Sequence, residues 1–244
     1  MNKPTGFRSV LIRCINVRSG EDEAMASRQL KLKELETYLE EVDGFENPKV
    51  LLEQYSTPAH LAACMLYTIH TSFDGIKDKH VLDLGCGCGV LSIGAVMLGA
   101  SKVTAVDVDE DALAACQQNI EEFEMENIDL ELHDITDLGS EISERLKVTV
   151  DTVVMNPPFG TKHNKGIDMQ FVKTGLSLTS GAVYSLHKTS TREHIQKKAE
   201  DWGMDMTILA EMKYNLKCTL KSHKKDTVDI EVDFIRFAHK SVKK

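Results

Sequence analysis

The sequence predicts an α/β fold: a largely parallel sheet covered by helices on both faces, with an antiparallel pair of strands at one edge. Three observations carry this. From His80 onward, short apolar runs alternate with segments whose apolar residues recur at helical spacing. One of these runs, Val81-Leu82-Asp83-Leu84, passes into alternating glycines and then a helical stretch. The last two periodic segments are both strand-like with no helical segment between them, so they pair antiparallel.

The elements follow in order. Leu30, Leu32, Leu35, Tyr38, Leu39 and Val42 recur near the helical period in a segment that opens at Ser27 and closes at Gly44. A second helix runs from Ala59 to about His70, with Thr57 as N-cap and Pro58 at the first helical position, where a missing N–H is harmless. Strands are expected from His80 to Leu84, Lys102 to Val106, Ile128 to Leu132 and Asp151 to Met155. Helices from Val90 to Leu98 and from Asp111 to Phe123 join the first three, and an Asp/Ser/Glu-rich connection leads to the fourth. Ala182 to Leu186 is a fifth strand and Thr191 to Asp201 a helix. Met206 to Met212 and Val228 to Phe237 are the closing pair.

Composition narrows the class. Over 244 residues, 42% are hydrophobic and 27% charged, which excludes wholesale disorder and leaves enough apolar chain for a core without staples. The longest apolar stretch, Val90 to Ala100, contains Ser92 and glycines and falls short of the ~20 residues a membrane-spanning helix needs. The six cysteines form no C-x-x-C pair, so free thiols in a reducing compartment are expected. Residues 1–20 are Arg-rich and free of acidic side chains; residues 1–24 read as a disordered extension rather than a targeting signal, and 25–244 as a single domain. The net charge of −9 is unevenly spread. Residues 1–150 carry 13 Lys+Arg against 27 Asp+Glu, whereas residues 151–244 carry 16 against 11. That balance argues against a protein that coats nucleic acid but leaves a basic half able to meet phosphate.

Two segments carry chemistry. In Asp83-Leu84-Gly85-Cys86-Gly87-Cys88-Gly89 the glycines allow a tight turn and a close approach of ligand to backbone. The dinucleotide fingerprint would need glycine where Val90 stands. The G-x-G-x-G spacing resembles instead the cofactor loop of S-adenosylmethionine-dependent methyltransferases, which holds the methionine end of that cofactor. Asp107, 22 positions after Gly85, ends the next strand, where a carboxylate can accept from both ribose hydroxyls; Asp109 then caps the following helix. Asp134 lies just past the third strand, beside Ile135; the resemblance to these methyltransferases implies recognition of the cofactor's adenine amino group there, and the other reading of a loop aspartate is a turn residue. Cys86 and Cys88 fit a tight loop better than a metal site, and no metal is expected.

The second segment, Asn156-Pro157-Pro158-Phe159, follows the fourth strand at its C-terminal end, the edge where open α/β sheets bind ligands. It suits methyl transfer to an amino nitrogen. Such a nitrogen shares its lone pair with a ring or carbonyl, so the protein must align it with the methyl and restore its tetrahedral character. The Asn156 side-chain oxygen and the Pro157 carbonyl can each accept an N–H, both prolines lack competing donors, and Phe159 can stack on a flat acceptor. A nucleobase would have to be unpaired or flipped out.

Five segments together resemble the methyltransferase-like protein 5 family: Glu53-Gln54-Tyr55-Ser56-Thr57, Asp83 to Ser92, Asn156 to Gly166, Tyr184 to Arg192 and Val228 to Phe237. The resemblance spans about residues 25 to 240. It implies a class I (Rossmann-like) methyltransferase with a seven-stranded, mostly parallel sheet. It also implies N6-methylation of adenosine in small-subunit (18S) ribosomal RNA, with S-adenosyl-L-methionine as cofactor. By the same resemblance Gln54, Thr57, Gly85, Cys88, Val90, Asp107, Asp134 and Ile135 would bind the cofactor, and Asn156, Pro157, Pro158 and Phe159 the target adenine. Lys162, His163, Lys165, Lys188, Arg192, Lys197, Lys198, Lys224 and Lys225 are candidates for phosphate contacts. The family further implies a heterodimer with a small zinc-binding methyltransferase activator protein, docked on the edge strand Ile128 to Leu132, a place in the nucleus, including the nucleolus, and cytoplasm, and no membrane. The closest rival is a protein-glutamine N5-methyltransferase, which uses the same Asn-Pro-Pro logic on a side-chain amide, usually with Tyr where this chain has Phe159. A non-catalytic binding module on the same fold is the other.

Overall fold

The computed structural model describes residues 30–137, 144, 150–160, 164–217 and 227–240. The extension expected over residues 1–24 lies outside them. The strands are β1 (His80–Leu84), β2 (Lys102–Asp107), β3 (Ile128–Leu132), β4 (Thr152–Met155), β5 (Ala182–Lys188), β6 (Met204–Lys217) and β7 (Thr227–His239). They form one sheet in the order β3-β2-β1-β4-β5-β7-β6. Neighbours from β3 to β5 pair in parallel, while β7 runs antiparallel to both β5 and β6. The helices are α1 (Leu32–Leu39), α2 (Ala59–Phe73), α3 (Val90–Met97), α4 (Glu110–Glu122), α5 (Ile167–Leu178) and α6 (Arg192–Asp201).

Side chains alternate across each strand, and this divides the core in two. Val81 of β1 and Val103 of β2 face one layer, with Leu35 of α1, Leu66 of α2, Ile93 of α3 and Ile120 of α4. Leu82 and Leu84 of β1 face the other, with Val172 and Leu176 of α5 and Ile195 of α6. Each fully buried Leu or Ile contributes about 1.5–3 kcal/mol, which fixes strand register, since a one-residue slip would turn the set to the wrong face.

Three features depart from the sequence expectations. Helix α5 was not anticipated, although a parallel β4–β5 pair requires a crossover of this kind. Thr57 is not the N-cap of α2: Pro58 holds that position, and the Thr57 hydroxyl accepts a hydrogen bond from Asn156 instead. Strand β6 begins two residues earlier and ends five later than the alternation suggested, because it pairs with β7 along its whole length through an irregularity between Ile208 and Ala210.

Chain order reverses at β1: β2 and β3 lie on one side of it, β4 and β5 on the other. The loops leaving β1 and β4 therefore diverge above the sheet and open a crevice at its C-terminal edge, where open α/β folds hold ligands.

Candidate active site

Register brings the two sequence segments together. Asp83 of β1 pairs with Val154 of β4, so the glycine loop and Asn156 emerge side by side. Leu84 pairs with Val106, which sets Asp107 next to Gly85, and the N–H groups of Gly85 and Cys86 both donate to the Val106 carbonyl, at 2.8 and 3.0 Å. Asp107 pairs with Leu132, so Asp134 lies two residues beyond the same edge.

These loops enclose a cavity of about 360 Å³, within the range of small-ligand sites. All eight residues singled out for the cofactor line it: Gln54, Thr57, Gly85, Cys88, Val90, Asp107, Asp134 and Ile135. Asn156 and Pro158 line it as well. Pro157 is buried behind them and Phe159 is half-buried beside them. Phe45, Leu51, Val108 and Phe171 are among the further apolar lining residues and were not anticipated. Phe171 belongs to the unforeseen helix α5, and its spacing from Ile167 and Val172 was the available signal.

The glycines are dictated by geometry. Gly87 has φ of +54°, and a Cβ there would stand 2.9 Å from Phe45 Cζ. Gly89 has φ of +88°, and a Cβ would meet Cys116 Sγ at 2.6 Å. A side chain at either place would be strained; at Gly87 it would intrude on the cavity lining, and at Gly89 it would collide with the core. Cys86 packs with Cys116, and a hydrogen bond between the two thiols, together with burial, pushes the Cys86 thiol well up. Burial pushes the Cys88 thiol up to about 11, against the opposing effect of Ser56, whose hydroxyl lies 3.2 Å from the sulfur. Both cysteines are thus protonated, inert packing groups at neutral pH.

Acidic side chains divide the work. Asp107 accepts from the Gly87 and Asp109 N–H groups at 2.9 and 3.0 Å, which orients its carboxylate at the cavity wall. Burial raises its pKa against these bonds. Asp109 caps α4 by accepting from the Asp111 N–H at 3.2 Å, as its position after β2 suggests. Burial pushes Asp109 up, but hydrogen bonds from Lys49 and Gln54 overcome it and hold its carboxyl below the ordinary range. The Gln54 amide is thus engaged at both ends, donating to Asp109 at 2.6 Å and accepting from the Lys49 N–H at 2.8 Å. Asp134 Oδ1 accepts from both the N–H and the hydroxyl of Thr136, at 2.8 and 2.7 Å, so Asp134 is a turn residue and a cavity residue at once.

Asn156 lies at the mouth. Its amide nitrogen donates to Thr57 Oγ1 at 3.0 Å and to the Tyr214 hydroxyl at 3.3 Å. Phe159 meets the Tyr214 ring edge-on, with centroids 5.8 Å apart, and Lys188 Nζ lies 5.7 Å from the Phe159 centroid. Asn164 reaches across the opening to donate to the Leu51 carbonyl at 2.9 Å. Of the other cations, Lys165 and Lys197 are exposed and Lys198 is half-buried on α6. Arg192 donates to both carboxylate oxygens of Asp233 at 2.7 Å and pairs with Glu211 at 2.9 Å, so its guanidinium is engaged within the protein. Lys162, His163, Lys224 and Lys225 lie outside the described residues.

The family model of ribosomal protein L11 methyltransferase (PrmA) matches residues 63–157, from α2 to the Asn-Pro step. The chain is 60% identical to rRNA N(6)-adenosine-methyltransferase METTL5 of Danio rerio over 85% of its own length and 99% of that protein. It is 50% identical to rRNA N(6)-adenosine-methyltransferase Mettl5 of Drosophila melanogaster over 86% of its length and 97% of that protein. A solved structure from Pyrococcus horikoshii, described as a candidate RNA methyltransferase, superposes with a TM-score of 0.74 at 34% identity, covering 87% of this chain and 98% of that one. The cofactor is S-adenosylmethionine, and the residues present fit it: a glycine cradle that admits no side chain, a carboxylate at the end of β2 for ribose hydroxyls, and apolar Ile135, Val108 and Phe171 for a flat base. By fold, site and kinship together, the chain belongs to the rRNA N(6)-adenosine-methyltransferase family.

Proposed function

We propose that this chain methylates N6 of an adenosine in small-subunit (18S) ribosomal RNA, with S-adenosylmethionine as donor. The observation that carries the reading is the β1–β4 pairing, which sets the glycine cradle beside Asn156 in a chain so close to proteins named for this reaction. The cofactor supplies an electrophilic sulfonium methyl when bound. The protein's own residues supply alignment. Asn156 Oδ1 and the Pro157 carbonyl accept the two N–H groups of the target amine and draw its lone pair out of conjugation with the ring. Phe159, braced by Tyr214, offers a face for the flipped base. No strong base is needed, since the proton can leave after the methyl has transferred. The resemblance to the methyltransferase-like protein 5 family supports small-subunit RNA as the target, and the names of the relatives favour a nucleobase over a glutamine amide.

RNA phosphates would meet Lys188 first, because its Nζ lies 5.7 Å from the Phe159 centroid, and exposed Lys165 next, because it follows Asn164 of the cavity lining. Lys197 and Lys198 lie further along α6, by ~8 Å at the helical rise from Arg192. A small zinc-binding activator protein is the proposed partner. β3 supports this, since it is an edge strand, partly exposed along its length, with Leu132 45% exposed at its end. The proposed location is the nucleus, including the nucleolus, and the cytoplasm, where small-subunit RNA is made and used.

The test offers purified small-subunit and large-subunit ribosomal RNA separately, with labelled S-adenosylmethionine, to the chain co-expressed with the activator. Label should enter the small-subunit RNA and emerge on digestion as N6-methyladenosine. Label confined to large-subunit RNA would refute the target; with a mixture of cytosolic proteins offered in a third reaction, label only in protein glutamine would replace the substrate class.

A further inference from the structure

We propose that Tyr214, on β6 and outside the Asn156-Pro157-Pro158-Phe159 segment, is a positioning residue whose hydroxyl fixes which end of the Asn156 amide faces the substrate. The inference rests on the reading of Asn156 as acceptor for the target amine. Tyr214 is 1% exposed, so its hydroxyl must find partners inside the protein. It finds two: the Ser56 carbonyl at 3.2 Å and the Asn156 amide at 3.3 Å.

The chemistry of these partners leaves one arrangement. A carbonyl oxygen only accepts, so the single phenolic proton goes to Ser56. The phenolic oxygen then has only lone pairs for Asn156, and only the NH2 end of the amide can meet them. The second N–H of that NH2 goes to Thr57 Oγ1 at 3.0 Å. Both donors of Asn156 are thereby held on the side of Thr57 and Tyr214, and Oδ1 is turned to the opposite side. That polarity is the one an incoming amine requires, since an amide presenting NH2 would set donor against donor. Burial raises the Tyr214 pKa, so the phenol keeps its proton throughout the working range. Neither Tyr214 nor the Ser56 carbonyl needs to touch the substrate: they act through Asn156.

Tyr214→Phe in the full chain keeps the ring that packs on Phe159 and removes the hydroxyl. The expected result is a kcat lower by about 5- to 20-fold, the size of one lost neutral hydrogen bond and of a freed amide. The Kd for S-adenosylhomocysteine and the KM for RNA should each stay close to wild type, and the melting temperature should fall by only about 2–4 °C, the size of one lost hydrogen bond in a chain this long. A second readout needs no turnover. In chains labelled with 15N-asparagine, the Asn156 side-chain NH2 signals (assigned by their loss in Asn156→Ala) should exchange slowly with solvent in wild type and faster in Tyr214→Phe. Unchanged kcat with unchanged exchange overturns the inference, and so does a fall in cofactor affinity parallel to kcat, which would mark a merely structural role. The kcat ratio is read in whichever pool the wild type labels. Glutamine labelling would therefore sink the RNA reading without touching this inference, because an amide nitrogen makes the same demand on Asn156.

Discussion

At the scale of single residues, Asp107 at the end of β2 and Asp83 on β1 show how two carboxylates near the glycine loop serve differently. Asp107 lines the cavity with its carboxylate oriented by backbone N–H groups. Asp107→Ala should weaken cofactor binding by about 10- to 100-fold, the worth of a charge-assisted hydrogen bond, as read by titration calorimetry. Asp83 lies wholly inside, with Oδ2 accepting from Ser92 at 2.7 Å and Oδ1 without a partner, and burial pushes its carboxyl up to about 7. The folded chain therefore keeps a proton that the unfolded chain releases near pH 4. Stability falls as the pH rises from about 4 to 7, by on the order of 4 kcal/mol for a shift of this size. Asp83→Asn keeps an acceptor for Ser92 and should flatten that fall in urea unfolding measured at pH 5 and pH 8. An unchanged slope would refute the retained proton. At this scale the sequence was most legible, since Gly85, Asp107 and Asn156 announce themselves by spacing from a strand. The contacts of Thr57 and Tyr214 with Asn156 do not, because Asn156 lies 99 and 58 residues away and only the assembled sheet unites them.

Elements were legible where their periodicity was clean. The central strands read as continuous apolar runs because both faces are buried, and β1 and β4 are buried almost throughout. Helix α5 escaped because its apolar positions, Ile167, Phe171, Val172 and Leu176, follow directly on a segment whose prolines and glycines read as loop. The β4–β5 crossover made it obligatory. Its cost to the site is testable. Phe171 packs against the glycine loop, where a Cβ on Gly85 would stand 2.9 Å from its ring, and it also lines the cavity. Phe171→Ala should remove about 3–5 kcal/mol of stability and weaken cofactor binding together, measured by denaturant unfolding and calorimetry. Strand β3 tests the partner. Leu132→Lys puts a charge on an exposed edge position, so it should reduce aggregation of the chain expressed alone and abolish co-purification of the activator. Retained co-purification would move the partner elsewhere.

For the molecule as a whole, charge and topology together define the task. The acidic N-terminal portion includes the cradle and the β2–β3 edge, whereas the basic surplus lies from β4 onward and includes Lys188 beside Phe159. RNA affinity should fall steeply with salt, and Lys188→Ala should lower the slope of log affinity against log salt by about 0.7–0.9, as for one lost phosphate contact. The antiparallel edge pair was foreseeable because no helix separates the last two strands. The depth of the crevice was not, since it arises from chain reversal at β1 and from long-range packing of Phe45, Leu51 and Phe171. The measurement that bears most directly on the central claim is methyl transfer by the chain co-expressed with the activator. It receives labelled S-adenosylmethionine with total RNA and, separately, a mixture of cytosolic proteins, and Asn156→Ala runs in parallel. Label recovered as N6-methyladenosine in ribosomal RNA, and absent with Asn156→Ala, is the result expected of a cradle and an amine clamp built side by side. Label in RNA that persists undiminished in Asn156→Ala would contradict it.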